Sequence, residues 1–128
     1  MLTASGAVLD LGRSRRIASR SQTLALIARD AGCSFPGCAH PPQYCERHHV
    51  RDWLNGGLTN LNNLTLVCAY HHHNFLARGW TCQINTDGIP EWTPPIWVDQ
   101  DQKSMINTRI QAVLSARKHA QRNKPINS

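Results

Sequence analysis

No apolar run in this 128-residue chain approaches the roughly 20 residues that a bilayer-spanning helix needs, so no membrane span is expected. The N-terminus lacks the charged-then-apolar pattern of a secretory signal, which makes a cytoplasmic location the expectation. Internal repeats and low-complexity tracts are missing too, which argues against solenoid and fibrous architectures. Cysteines number five, an odd count, and are spaced unevenly among seven histidines. That usage does not suit a disulfide framework and fits metal binding in a reducing compartment. Acids are scarce at both ends: residues 1–29 hold only Asp10, and residues 102–128 hold none.

The net charge of +6 is therefore unevenly placed. The N-terminal stretch carries Arg13, Arg15, Arg16, Arg20 and Arg29; the C-terminal one carries Lys103, Arg109, Arg117, Lys118, Arg122 and Lys124. Between them the chain is mildly acidic and rich in histidine. Basic flanks around such a centre suit a nucleic-acid binder whose arms neutralise phosphates, although solvated basic tails are also common. The length implies one domain with a small core, of the size that often needs a metal staple.

Residues 2–11 alternate loosely and read as a short strand centred on Ala7, Val8 and Leu9. Ser21 to Ala31 reads as a helix, capped by Ser21, with Leu24, Ile27 and Ala28 on one face and Gly32 at its end. Cys33 to Cys38 is a tight turn containing a Pro-Gly step, followed by the stiff Pro41-Pro42. Tyr44 to Trp53 reads as a strand running into a loop that Asn55-Gly56-Gly57 breaks. Leu58, Leu61, Leu64 and Leu66 bracket an Asn-rich loop, after which a helix is expected from about Cys68 to Arg78, closed by Gly79. Trp80 to Ile84, a turn at 85–88 and Ile89 to Trp92 read as a hairpin. Met105 to about Lys118 reads as a last amphipathic helix with Ile106, Ile110, Val113 and Leu114 together. Most of Trp53, Trp80, Trp92 and Trp97 are expected in the core.

The chemistry-bearing residues fall into two groups. Cys33 and Cys38, curled by their turn, and Cys68 and His71, three apart on the first turn of a helix, make two half-sites of the kind that close a structural zinc site. Cys45 or His73 could replace one of the four; Cys45 and Cys82 otherwise read as core cysteines. His71 and His72 differ in direction by about 100° on a helix, so one can face the zinc while the other faces a second pocket. His48 and His49, if extended, point to opposite sides of a strand. One can join His72 on a second metal while the other reaches a reacting water.

Together Cys33-x4-Cys38, Cys45-Glu-Arg-His-His-Val50, Trp53-x2-Gly-Gly57, Asn63-Leu-x2-Val-Cys-x2-His-His72 and Gly79-Trp80 resemble the HNH endonuclease module of the His-Me finger (ββα-metal) superfamily. More narrowly, residues 8–98 resemble the C-terminal part of an actinobacterial, mycobacterial-type repeat family. There a Gly-Arg-x-x-Arg stretch, here Gly12 to Arg16, precedes Arg-Asp-x-Gly-Cys-x-Phe-Pro-Gly-Cys, here Arg29 to Cys38. The run from Arg29 to Trp80 is the diagnostic part, and members of that family carry a long region upstream of it. The resemblance implies an α+β fold: a small zinc-stapled ββα-metal core with a flanking N-terminal helix, a C-terminal β-hairpin and a C-terminal helix. It divides the chain into a basic segment at 1–20, the nuclease domain at 21–98, a helix at 99–118 and a flexible tail at 119–128.

The resemblance further implies His49 as general base, with Asn63 either orienting that imidazole or holding the loop between the strands. It implies His48 and His72 on a catalytic divalent metal: Mg²⁺ or Mn²⁺, with Ni²⁺ or Zn²⁺ as alternatives. Arg47, Arg51 or Arg78 would clamp the scissile phosphate. One position departs from the pattern, because many such sites carry a further histidine where this chain has Leu76. The leading expectation is a metal-dependent endonuclease hydrolysing phosphodiester bonds in DNA, with RNA and the oligomeric state left open. A catalytically decayed, zinc-containing nucleic-acid-binding module is the alternative, and a zinc-stabilised protein-interaction domain is the third.

Overall fold

The computed structural model describes residues 8–122, so most of the expected N-terminal strand and the end of the tail lie outside the described residues. Within them the elements run α1 (Arg20–Asp30), β1 (Cys45–His49), β2 (Leu64–Cys68), α2 (Ala69–Asn74), β3 (Thr81–Ile84), β4 (Pro90–Thr93) and α3 (Thr108–Arg122). Short 3-10 turns occupy Pro42–Tyr44, Trp53–Asn55, Leu61–Asn63 and Leu76–Arg78. β1 and β2 pair antiparallel with Cys45 opposite Cys68 and His49 opposite Leu64. α2 follows β2 directly, so the centre of the molecule has a ββα order. β3 and β4 form a separate antiparallel hairpin, as the turn residues at 85–88 require. No helix among the described residues is long and apolar enough to cross a membrane.

α1 starts two residues earlier than expected because its cap is Ser19, not Ser21. Ser19 Oγ accepts from the Gln22 amide at 3.1 Å, and Gln22 Oε1 accepts from the Ser19 amide at 3.0 Å. Such a reciprocal box needs Gln three residues past the cap, and Ser19 alone provides it. Its buried stripe is Gln22, Leu26 and Asp30, while Leu24 is exposed. The polar members of that stripe account for the difference from the expected Leu24 face: both are buried because they are bonded, not because they are apolar. Gln22 Nε2 donates to the carbonyls of Leu9 and Thr59, at 2.7 and 2.8 Å. The Asp30 carboxylate accepts from Arg29, from Thr65 Oγ1 at 2.9 Å and from the Leu66 amide at 3.0 Å. A buried charge held this way fixes α1 against β2. Ala31, rather than Gly32, takes the left-handed cap position, with φ of 57°. Gly32 is needed because a Cβ there would run into the His40 carbonyl.

Two small cores result. Leu26, Leu64 and Leu66 join α1 to β2, and Cys33, Phe35, Cys38, Val67, Cys68, Trp80, Cys82 and Trp92 pack under α2 and the hairpin. Trp80 and Trp92 are core residues, whereas Trp97 is 71% exposed. Cys82 lies in the core as expected, and burial pushes its thiol up to about 12. The expected helix over 68–78 is divided: α2 ends at Asn74 and a 3-10 turn completes the stretch before Gly79, at φ 100°. The last helix begins at Thr108 and runs on through Lys118 to Arg122, so Met105 and Ile106 precede it. Met105 instead pairs with Trp92. Buried Asn107, just ahead of α3, donates to the carbonyls of Phe35 at 2.8 Å and Cys38 at 3.1 Å. Arg109 donates to Asp30, Cys33 and Cys38 carbonyls at 2.8, 3.0 and 3.1 Å. The start of α3 thus clamps the Cys33–Cys38 turn, and Arg109 is a structural cation rather than a free basic arm.

Candidate functional site

The Cys33–Cys38 turn, the end of β2 and the first turn of α2 converge. Ligand atoms of Cys33, Cys38, Cys68 and His71 all lie within 4.8 Å of one another. His71 Nδ1 is 3.2 Å from Cys68 Sγ and 3.7 Å from Cys33 Sγ; Cys38 and Cys68 sulfurs are 4.0 Å apart. A tetrahedron with zinc–sulfur bonds of about 2.3 Å has edges of about 3.8 Å, so these separations suit a tetrahedral ion. Phe35 stacks flat on the His71 ring, centroids 4.1 Å apart and 13° between planes, which fixes the direction of Nδ1. Burial, reinforced by the neighbouring Cys38 and Cys68, pushes the Cys33 thiol well above the usual range. Three crowded sulfurs can all become thiolates only if a cation compensates them, and a metal does so while releasing their protons. Burial and His40 together lower the His71 pKa, leaving a neutral imidazole able to donate its lone pair. Cys45 and His73 are not in this group. Cys45 instead packs between the two cores, its thiol raised to about 11 chiefly by burial.

A second group forms where β1 passes α2. Glu46 and His48 alternate onto one face of β1, and His48 meets His72 with ring centroids 5.3 Å apart. Glu46 Oε2 is 3.3 Å from His72 Nδ1, and its other oxygen is 3.8 Å from His73 Nε2. Glu46, His72 and His73 are close enough to hold one cation. His72 Nδ1 is buried yet makes no hydrogen bond of good geometry, because the nearby carboxylate lies off its line. An orphaned nitrogen beside a carboxylate is the donor set of an oxygen- and imidazole-binding divalent ion. Burial first, then His72, lowers the His48 pKa to about 4, so this ring is neutral at pH 7.

His49 turns elsewhere. Its Nε2 is 3.0 Å from Thr59 Oγ1, its ring stands edge-on to Trp53, and it lines an open cleft with Arg16, Ile17, Cys45, Glu46 and Arg47. Burial and then Arg16 hold its pKa below the ordinary 6.5. Asn63 does not bond His49: its amide donates to the Arg51 and Leu58 carbonyls, at 3.1 and 2.8 Å, and its Oδ1 accepts from the Arg51 amide at 2.8 Å. Of its two expected roles, the side chain's bonds match holding the loop between β1 and β2. The three arginines singled out as phosphate clamps are not brought together. Arg47 shares the His49 cleft, Arg51 Nε donates to Asn55 within the loop at 3.0 Å, and Arg78 lines a separate cleft with Tyr70, Phe75, Trp80 and Trp97.

The domain is thus small and α+β, with two groups of metal-binding character in a ββα-metal-like arrangement. No family model matches the chain, and no solved structure matches it. Its similarity is to mycobacterial proteins. The uncharacterized protein Rv1128c of Mycobacterium tuberculosis is 44% identical over 97 residues, 76% of this chain and 21% of that protein. Rv1945 of the same species is 39% identical over 94 residues, 73% of this chain and 20% of its own length. Mb1179c of Mycobacterium bovis is likewise 39% identical over 94 residues, 73% of this chain and 20% of its own. The chain therefore spans about a fifth of the length of these relatives.

Three residues at these sites were not singled out from sequence. Glu46 had a readable signal, since it stands two before His48 on the same strand face. Arg16 was read only as part of the basic N-terminal stretch and Thr59 had no signal, because both reach His49 through loops whose course no periodicity encodes.

Proposed function

We propose that the domain is a metal-dependent HNH-type endonuclease that hydrolyses phosphodiester bonds in DNA. The observation that carries this reading is the convergence of Glu46, His72 and His73 where β1 passes α2, with the His48 ring against His72, next to a Cys₃His group of zinc character. In this reading Cys33, Cys38, Cys68 and His71 hold a structural Zn²⁺ that pins β2, α2 and the Cys33–Cys38 turn together. His48 and His72 hold the catalytic ion, and Glu46 supplies a third ligand where Leu76 offers none. A divalent cation there supplies Lewis-acid stabilisation of the charge that builds on the phosphate and the departing 3′ oxygen.

His49 acts as the general base. It takes one proton from water as the oxygen attacks phosphorus and the bond to the 3′ oxygen breaks; that oxygen is reprotonated from solvent. A lowered pKa keeps the ring neutral and ready near pH 7. Asn63 contributes by holding the loop that follows β1. Exposed Arg47 and Arg16 flank the cleft and are placed to meet phosphates. Arg13, by contrast, is spent on the Trp53 and Gly57 carbonyls, at 2.7 and 2.9 Å.

One observation favours a second reading, a binding module without cleavage. The proposed third ligand, Glu46, is an exposed side chain in place of a histidine on the helix. Plasmid relaxation by metal-stripped protein, with Mg²⁺, Mn²⁺, Ni²⁺ or Zn²⁺ restored, separates the two. Metal-dependent nicking that His49→Ala abolishes supports the hydrolase. A folded protein that binds DNA in a salt-dependent way and never cuts it supports the module.

A further inference from the structure

The Thr59 hydroxyl has two neighbours and one proton. Its Oγ1 lies 3.3 Å from the Arg16 carbonyl and 3.0 Å from His49 Nε2. A carbonyl can only accept, so the one arrangement that satisfies both contacts puts the Thr59 proton on the Arg16 carbonyl and leaves the hydroxyl oxygen to accept from the ring. We propose that Thr59 is the positioning residue of the His49 base, holding it as the Nε2–H tautomer so that Nδ1 carries the free lone pair. The inference rests on the reading of His49 as base, and it adds the partner that decides which nitrogen does the work.

The surroundings make Thr59 a fixed point. It is fully buried, its amide donates to the Gly12 carbonyl at 2.8 Å, and its carbonyl accepts from Leu11 at 2.9 Å and Gln22 Nε2 at 2.8 Å. The hydroxyl therefore cannot follow a rotating imidazole without breaking from a rigid neighbourhood. A base held by a second group, itself oriented by a third, is the arrangement that nucleophile-activating histidines generally need. Here the third group is a backbone carbonyl of residues 11–18, outside the ββα core.

The geometry also serves the reaction differentially. In the resting state the bond is between a neutral ring and a hydroxyl. When Nδ1 takes the proton of water, Nε2–H becomes the donor of an imidazolium and the same bond becomes charge-assisted and stronger. No proton passes along Thr59 to Arg16, and none needs to.

The test reads the tautomer directly. Long-range proton–nitrogen NMR correlations on ¹⁵N-labelled, zinc-loaded protein assign which nitrogen of His49 is protonated. Wild type and Thr59→Ser, which keeps the hydroxyl, are expected as the Nε2–H form. Thr59→Val, nearly isosteric, is expected to show mixed tautomers. Its kcat for Mg²⁺-dependent plasmid nicking should fall roughly ten- to a hundredfold with KM unchanged, the scale on which losing a histidine's orienting partner is felt. Thr59→Ser should restore kcat. An Nδ1–H wild type, or a folded Thr59→Val with wild-type tautomer and kcat, overturns the proposal. Should Thr59→Val not fold, the wild-type and serine spectra still decide. A wild type that never nicks DNA but shows Nε2–H at His49, lost in Thr59→Val, defeats the nuclease reading and upholds the pairing.

Discussion

The two groups of metal-binding character meet one short helix at successive residues and differ in almost every physical respect. His71 looks into a nest of three buried sulfurs, stacked under Phe35, with Asn107 and Arg109 gripping the carbonyls of the facing turn. His72 looks toward a carboxylate and an imidazole at the surface, its Nδ1 left without a good partner. The first group is enclosed in the core; the second stands at the surface, with Glu46 and His73 exposed. A single step of α2 separates the Cys₃His group from the Glu46–His72–His73 group, because successive helical residues diverge by about 100°.

That contrast is broken most severely at the Cys₃His group. Cys68→Ser should cost the domain its cooperative unfolding transition. Structural zinc sites in small peptides contribute about 10–16 kcal/mol of apparent free energy, far more than one side chain in so small a core. Metal analysis should find one tightly held zinc in the wild type and none in the variant. A Cys68→Ser protein that melts like wild type would show the sulfurs to be ordinary core cysteines.

The group around His72 should respond in the opposite manner. His48→Ala should lower metal-dependent cleavage by roughly 10²- to 10³-fold, the scale of losing one stabiliser of transition-state charge. Its thermal midpoint should stay within a few degrees of wild type. Glu46→Gln should raise the Mg²⁺ concentration needed for half-maximal rate by about tenfold or more, since a carboxylate ligand becomes a neutral amide. Equal loss of fold in His48→Ala and Cys68→Ser would erase the distinction.

Acid sharpens it. In the protein without a catalytic ion, unfolded His48 gains its proton near 6.5, whereas the folded ring resists until about 4. The unfolded state then binds more protons over that window, so stability present above pH 6.5 is lost as the pH falls toward 4. Denaturant titrations of wild type and His48→Gln should diverge across this window, the glutamine variant falling less steeply. Parallel slopes would mean that His48 is solvated.

The Cys₃His group was legible in the sequence and the group around His72 only half so, for a physical reason. Cys33-x4-Cys38 and Cys68-x2-His71 are local pairs whose turn and helix geometry bring the ligands together. Glu46 and His48 could be paired by strand alternation. Thr59 and Arg16 meet His49 across the loop after β1, where contacts depend on chain path and not on period. The same limit applies to α1: Gln22 and Asp30 are buried by bonds to Leu9, Thr59, Thr65 and Leu66, partners remote in the chain. Polarity alone placed them outside. The clamp at the start of α3 was invisible for that reason, and Asn107→Ala tests it. Removing a buried donor shared by the Phe35 and Cys38 carbonyls should cost about 1–3 kcal/mol. Zinc transfer to a chelator should quicken in step; unchanged transfer would confine Asn107 to packing.

The smallest effects belong to the surface, where the two clefts carry different cations. Arg16 and Arg47 flank His49, while Arg78 stands by Tyr70 and Trp97 in a cleft apart. If DNA crosses the His49 cleft, Arg16→Ala and Arg47→Ala should each weaken binding several-fold, and each should reduce the salt slope of log Kd by about one. Arg78→Ala should leave both nearly unchanged. Fluorescence anisotropy of a labelled duplex across a salt series measures all three on one scale. The slope matters more than the affinity: it counts phosphate contacts, whereas a lost packing contact lowers affinity at every salt concentration alike. A slope that changes only with Arg78→Ala would move the nucleic acid to the aromatic cleft, leaving His49 without a substrate.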